Sequence, residues 1–185
     1  FRLERDVFKN GPVDLLFEEA AVNDFYNGRG NEEQIRAMEG IVRHARALNP
    51  HIDIVMIHFV DPEKMREYNA GKTPQVIQNH EKVAEHYGAP SINLALEVTE
   101  RIRRGEFTWE TDFVDLHPSP FGHDIYSSTI ARCFDAAWSD NSMAGRPTPH
   151  PLPSKLDAYC YDSGKLLPPK EAKALRGFRL DPEWK

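Results

Sequence analysis

The sequence predicts an α/β domain of three layers, with helices on both faces of a mainly parallel sheet. Three observations predict it. Short apolar runs alternate with longer stretches at helical period along residues 1–138. The run Ile52-Asp-Ile-Val-Met-Ile-His-Phe59 is β-branched and nearly continuous, as suits a strand covered on both faces. The order strand, helix, strand, helix, strand, helix describes βαβ units, whose right-handed crossovers put helices on either side of one sheet.

Each element has its own justification. Val13-Asp-Leu-Leu-Phe17 follows a Gly-Pro turn and reads as a buried strand. Asn31-Glu-Glu-Gln34 reads as a helix start, with Asn31 as cap and Gln34 in the reciprocal position. Ile35, Met38, Val42 and Ala45 mark one face of that helix, and Pro50 closes it. Residues 52–59 form the clearest strand. Thr73-Pro74 opens the next helix, with proline at its first position. Val76, Ile77, Val83, Ala84 and Tyr87 form its inner side, and Gly88 ends it. Pro90–Leu94 reads as a short third strand, Ala95–Arg104 as a helix stopped at Gly105, and Ser119-Pro120 as the cap of a last helix reaching about Trp138.

Residues 139–185 differ. Prolines cluster at Pro147, Pro149, Pro151, Pro153, Pro168 and Pro169, and the periodicity fades. This stretch is expected to wrap the domain surface or to lead into a further module.

Composition narrows the function classes. The net charge is −6, which argues against nucleic acid as the main partner, since phosphate binding needs a basic patch. No apolar run approaches the roughly 20 residues of a membrane span. Cys133 and Cys160 lack the CxxC spacing of a zinc or redox site. Cys133 falls on the apolar face of the last helix and is expected to be a buried thiol.

In a parallel sheet, function gathers at the carboxyl ends of the strands. Two loops there carry chemistry. The first reads Glu18-Glu-Ala-Ala-Val-Asn-Asp24, and the second reads Asp112-Phe-Val-Asp-Leu-His-Pro-Ser-Pro-Phe-Gly-His123. Taken singly, Asn-Asp suits any turn or helix cap, and His-Pro before a helix suits a capping loop. Taken together, in this order, they resemble the blocks of the SGNH (GDSL-type) hydrolase family. Ala21-Val22-Asn23-Asp24 stands where the family has Gly-x-Asn-Asp. Asp115-Leu116-His117 stands where it has Asp-x-x-His, one residue short, with Val114 in the place of the family aspartate.

The resemblance implies an SGNH/flavodoxin-like fold over residues 1–138, with the N-terminal strand or strands outside this chain. It implies ester hydrolysis through a serine acyl-enzyme, with no metal and no cofactor. Asn23 is the implied oxyanion donor, His117 the base, and Asp115 the acid that orients it, with Asp112 as the fallback. Asp24 and His58 are expected to line the cleft. The nucleophile is absent: no serine precedes Asn23, and Ser91, Ser119, Ser127 and Ser128 lie in the wrong segments. The substrate implied is a small ester or an acylated carbohydrate, in a secreted or periplasmic setting.

Two rival readings stay open. One is a non-catalytic binding domain that keeps the cleft without the serine. The other is a metal-dependent hydrolase, for which Asp115, His117, His123 and Asp124 are the best cluster among eight histidines that show no HExxH. Trp109 and Tyr126 suit core packing, with stacking on a sugar ring as the alternative. Arg101, Arg103 and Arg104 suit a solvated helix end.

Overall fold

The structure is a computed structural model and describes residues 2–139, 145, 147–167, 173 and 176–177. Its sheet has three parallel strands in the order β1-β2-β3, where β1 is Leu15–Glu18, β2 is Asp53–Ile57 and β3 is Ser91–Ile92. Alternation along β2 explains the layers. Val55 and Ile57 face one core, and Ile54 and Met56 face the other.

Helix α2 (Asn31–Leu48) covers the second face through Met38, Val42 and Ala45, together with Val83, Ala84 and Tyr87 of α4 (Gln75–Tyr87). The first face is covered by Leu94, Ala95 and Val98 of α5 (Leu94–Arg103) and by Ile125 and Tyr126 of α6 (Pro120–Ser139). Gly88 ends α4 in the left-handed conformation at φ 59°, where a side chain would be strained. The Ser119 hydroxyl accepts from the Gly122 amide and caps α6, as the sequence predicts.

Several elements differ from expectation. The Asn-Asp segment is a short helix, α1 (Ala21–Tyr26), and not a loop. A further helix, α3 (Pro62–Asn69), follows β2. It opens with the Asp61 carboxylate accepting from the Lys64 amide and with proline in the first turn, a start signal that sequence reading passed over. The cap of α2 sits one residue earlier than expected: Glu33, not Gln34, reaches back to the Gly30 amide. Pro74 precedes α4 rather than opening it. Cys160 is the buried thiol, Cys133 is half-buried against the α5/α6 core, and both are free.

Residues 147–167 lie against α2 as a strap. The buried Glu39 carboxylate accepts from the amides of Leu156 and Asp157 and from the Tyr87 hydroxyl. Arg36 pairs with Asp157 and Arg43 with Asp162. Arg46 donates to the carbonyls of Tyr87 and Pro151. A Cβ at Gly40 would lie 2.8 Å from the Tyr161 backbone, so the strap needs glycine at that point of the helix. Pro168 and Pro169 lie outside the described residues.

Candidate active site

A cleft of about 560 Å³ opens at the carboxyl edge of the sheet. Glu19, Val22, Asn23 and Tyr26 come from the end of β1 and from α1. Phe59 comes from the end of β2. Leu116, His117 and Pro118 come from the loop before α6, and His123 and Tyr126 from α6 itself. Asn23 and His117, far apart in the chain, thus share one cavity. Its floor is aromatic: Phe59 and Tyr126 stack at 4.9 Å between ring centroids, and the Tyr126 hydroxyl accepts from the Val60 amide at 3.2 Å. Burial pushes the Tyr126 phenol well up.

The loop bearing His117 is held from two sides. Phe113 is fully buried, and its carbonyl accepts from the amides of Asp115 and Ser119. Between Phe113 and Asp115, Val114 takes φ 80°, the one positive φ at a non-glycine among the described residues. A β-branched residue is strained there, and it persists because the neighbours on both sides are fixed. Gly122 then lets α6 approach, since a Cβ there would meet Pro118 at 2.5 Å and the Phe113 ring at 2.9 Å. This explains the glycine of the His-Pro-Ser-Pro-Phe-Gly-His segment.

The expected acids sit as follows. One Asp115 carboxylate oxygen accepts from the His117 backbone amide at 3.4 Å, a turn contact and not a bond to the ring. Asp112 accepts from the Thr108 amide at 2.8 Å and from the hydroxyls of Thr108 and Thr111. The Thr108 amide, followed by its hydroxyl, holds the Asp112 carboxyl below the usual range and ties it to its own turn.

Two residues expected to line the cleft do not line it. His58 is fully buried, with Nε2 2.8 Å from Glu81 Oε1. Asp24 turns towards α4, where its Oδ2 lies 3.1 Å from Nε2 of the buried His80. The reason is geometric. His58 continues the alternation of Ile54 and Met56 and falls on the α2/α4 face, and Asp24 stands about 100° around α1 from Asn23.

Sequence reading missed Glu19, which stands one residue past β1 at the strand end where sites form. Its carboxylate accepts from the Val22 amide at 3.2 Å. Burial raises its pKa first and foremost, against hydrogen bonds from the Val22 and Phe59 amides. Trp109 packs against Phe113 at 5.1 Å on the core side. Asp115, His117, His123 and Asp124 form no metal-ligating cluster, and no group of three or more such residues does so among the described residues. No helix among those residues is long and apolar enough to cross a membrane.

No curated protein matches the chain. Two solved structures share its fold, a two-domain esterase active on acetylated mannans and a two-domain esterase active on acetylated mannans co-crystallised with mannopentaose. Their TM-scores are 0.62 and 0.61, at 20% and 19% identity. The alignments cover 87% and 88% of this chain but only 40% and 39% of theirs. The family model of the GDSL-like lipase/acylhydrolases matches residues 2–125, well over half of the sequence. The chain belongs to the GDSL-like lipase/acylhydrolase family.

Proposed function

We propose that this chain carries the oxyanion-donor and base portion of a carboxylic-ester hydrolase that works through a Ser-His-Asp acyl-enzyme. The observation that carries the reading is that Asn23 and His117 line one cleft at the carboxyl edge of the sheet. The Asn23 amide donates to the oxyanion of the tetrahedral intermediate. His117 takes the serine proton and returns it to the leaving alcohol. Asp115, beside His117 in the turn, orients the ring once substrate and nucleophile close the site. The serine comes from sequence upstream of Phe1, on a strand that pairs with the free edge of β1. Among the described residues β1 pairs on one side only, with β2.

The substrate proposed is a small ester or an acetylated carbohydrate. A volume of this size suits a small ligand. Tyr26, Phe59 and Tyr126 offer aromatic faces to a sugar ring, and Glu19 offers an acceptor for a hydroxyl. A second reading, a binding domain without turnover, draws on one observation: among the described residues, no serine, threonine or cysteine lines the cleft.

One set of assays tests both readings. Residues 1–185 alone are expected to hydrolyse p-nitrophenyl acetate no faster than background. The protein extended upstream to include a serine-bearing strand is expected to turn over the same ester and to release acetate from acetylated manno-oligosaccharides. In that protein His117→Ala is expected to lower kcat by several orders of magnitude. Asn23→Ala is expected to cost about 2.7–4 kcal/mol of transition-state stabilisation. A folded His117→Ala enzyme with near-normal kcat would remove His117 from the base role. An extended protein that binds the oligosaccharide without releasing acetate would favour the binding domain.

A further inference from the structure

The amide assigned to the oxyanion rides on a helix too short to hold its own direction. Helix α1 has six residues, below the length at which a helix is stable by itself. Contacts from outside fix it, among them the following three. Ala21 is fully buried, the Glu19 carboxylate accepts from the Val22 amide, and Asp24 Oδ2 lies 3.1 Å from His80 Nε2. Among the described residues, the last is the contact that ties this helix by a side-chain hydrogen bond to α4, the longer helix packed against it.

Asn23 and Asp24 are consecutive, so their side chains leave the helix about 100° apart. One lines the cleft while the other is gripped behind it. His80 has no exposed surface. Its ring centre is 5.9 Å from that of His58, which is equally buried and holds Glu81 through Nε2 at 2.8 Å. Ser91 donates to the other oxygen of Glu81, which ties this second contact to β3. The Nδ1 atoms of both histidines are buried without a partner. With a carboxylate at Nε2 and no partner at Nδ1, the His80 ring carries a proton on Nε2 and donates it to Asp24.

We propose that His80 is a positioning residue for Asn23: its Nε2–H grips Asp24, sets the rotation of α1 about its axis, and so aims the Asn23 amide into the cleft. The proposal rests on the reading of Asn23 as oxyanion donor. A histidine that merely filled the core would affect the whole fold evenly. A positioning residue acts first on α1, so loss of its grip loosens that helix while α2 and β2 stay protected.

The test uses the chain as it stands, labelled with ¹⁵N. His80 is expected to show an unprotonated Nδ1 and a protonated Nε2. His80→Ala and Asp24→Ala are each expected to speed exchange of the Asp24 and Asn27 amides, which bond to the Ala20 and Asn23 carbonyls, by about tenfold or more. Both are expected to shift the Asn23 side-chain amide pair while leaving exchange in α2 and β2 unchanged. The double variant is expected to do no more than either single one. His80→Gln, which keeps a donor, is expected to restore the Asn23 signals. If His80→Ala does not fold, Asp24→Ala decides, because it leaves the buried layer in place. Unchanged α1 exchange and unchanged Asn23 signals in folded Asp24→Ala would overturn the proposal, as would a uniform loss of protection across the chain. None of these readouts involves an ester. A failure of the hydrolase reading would therefore appear separately, as normal turnover in Asn23→Ala.

Discussion

Gly122 and Pro118 stand so close that a Cβ on the glycine would lie 2.5 Å from the Cβ of the proline. Across the same gap the Phe113 ring closes in at 2.9 Å. The start of α6 and the loop bearing His117 are thus one packed unit. Gly122→Ala is expected to cost about 1–3 kcal/mol, the usual penalty of overpacking. It should also displace the His117 signals in NMR spectra, while α2 stays as it was. Urea denaturation measures the first effect. A fully stable alanine variant with an unshifted His117 would show that the loop is not held this way.

Glu18 makes a prediction of opposite sign. It is buried at the end of β1, and neither carboxylate oxygen has a partner. Burial pushes its pKa well above the ordinary 4.5, helped by the neighbouring charges of Asp24 and Glu19. The folded chain therefore keeps a proton that the unfolded chain releases. Stability from this group is full below pH 4.5 and is lost as pH rises through the folded value. Glu18→Met is expected to raise the denaturation midpoint at pH 8, with a gain that shrinks as pH falls towards 4.5. A loss of stability at pH 8 would contradict the burial argument.

His80 shifts the other way. Burial, more than any other cause, holds its pKa below the ordinary 6.5, against the pull of Asp24. The unfolded chain then binds the proton more readily than the folded one. The associated stability is present above pH 6.5 and is lost as pH falls through the folded value. His80→Gln is expected to flatten the slope of stability with pH below 6.5. An unchanged slope would assign it to another group.

The strap hangs on Glu39. Its carboxylate is fully buried and accepts three hydrogen bonds, two of them from strap amides. Glu39→Ala is expected to cost at least about 1.5–3 kcal/mol. It should also expose Cys160, which burial otherwise protects, to thiol reagents. The rate of labelling checks this directly, and slow labelling equal to that of the unaltered chain would refute it.

The sheet, its parallel order and the helices on each face could be read in the sequence because each rests on local period and on caps such as Gly88 and Ser119. Asn23 and His117 were legible as a pair because their two segments, in this order, resemble the blocks of the GDSL-like family, at strand ends where sites form in such sheets. What stayed hidden depended on partners elsewhere. Nothing near His58 or Asp24 in the chain indicates that Glu81 and His80 wait on α4. Helix α1 has too few residues to show a period, and α3 is signalled only by the Asp61-Pro62 start. Cys133 is only half-buried because it lies on a helix that covers the sheet in part, while Cys160 is buried by the fold of the strap.

The strap also bears on time. Arg36 meets Asp157 across 121 positions and Arg43 meets Asp162 across 119, among the most distant pairings in the molecule. Closing so long a loop costs entropy that nothing repays until α2 is already in place. The strap is therefore expected to dock after the folding barrier has been crossed. Substitutions at Glu39 or Gly40 are then expected to leave the refolding rate nearly unchanged and to hasten unfolding, with φ-values near zero in stopped-flow chevrons. On this account the segment has little influence on how quickly the native state forms, and a large one on how long it survives once formed.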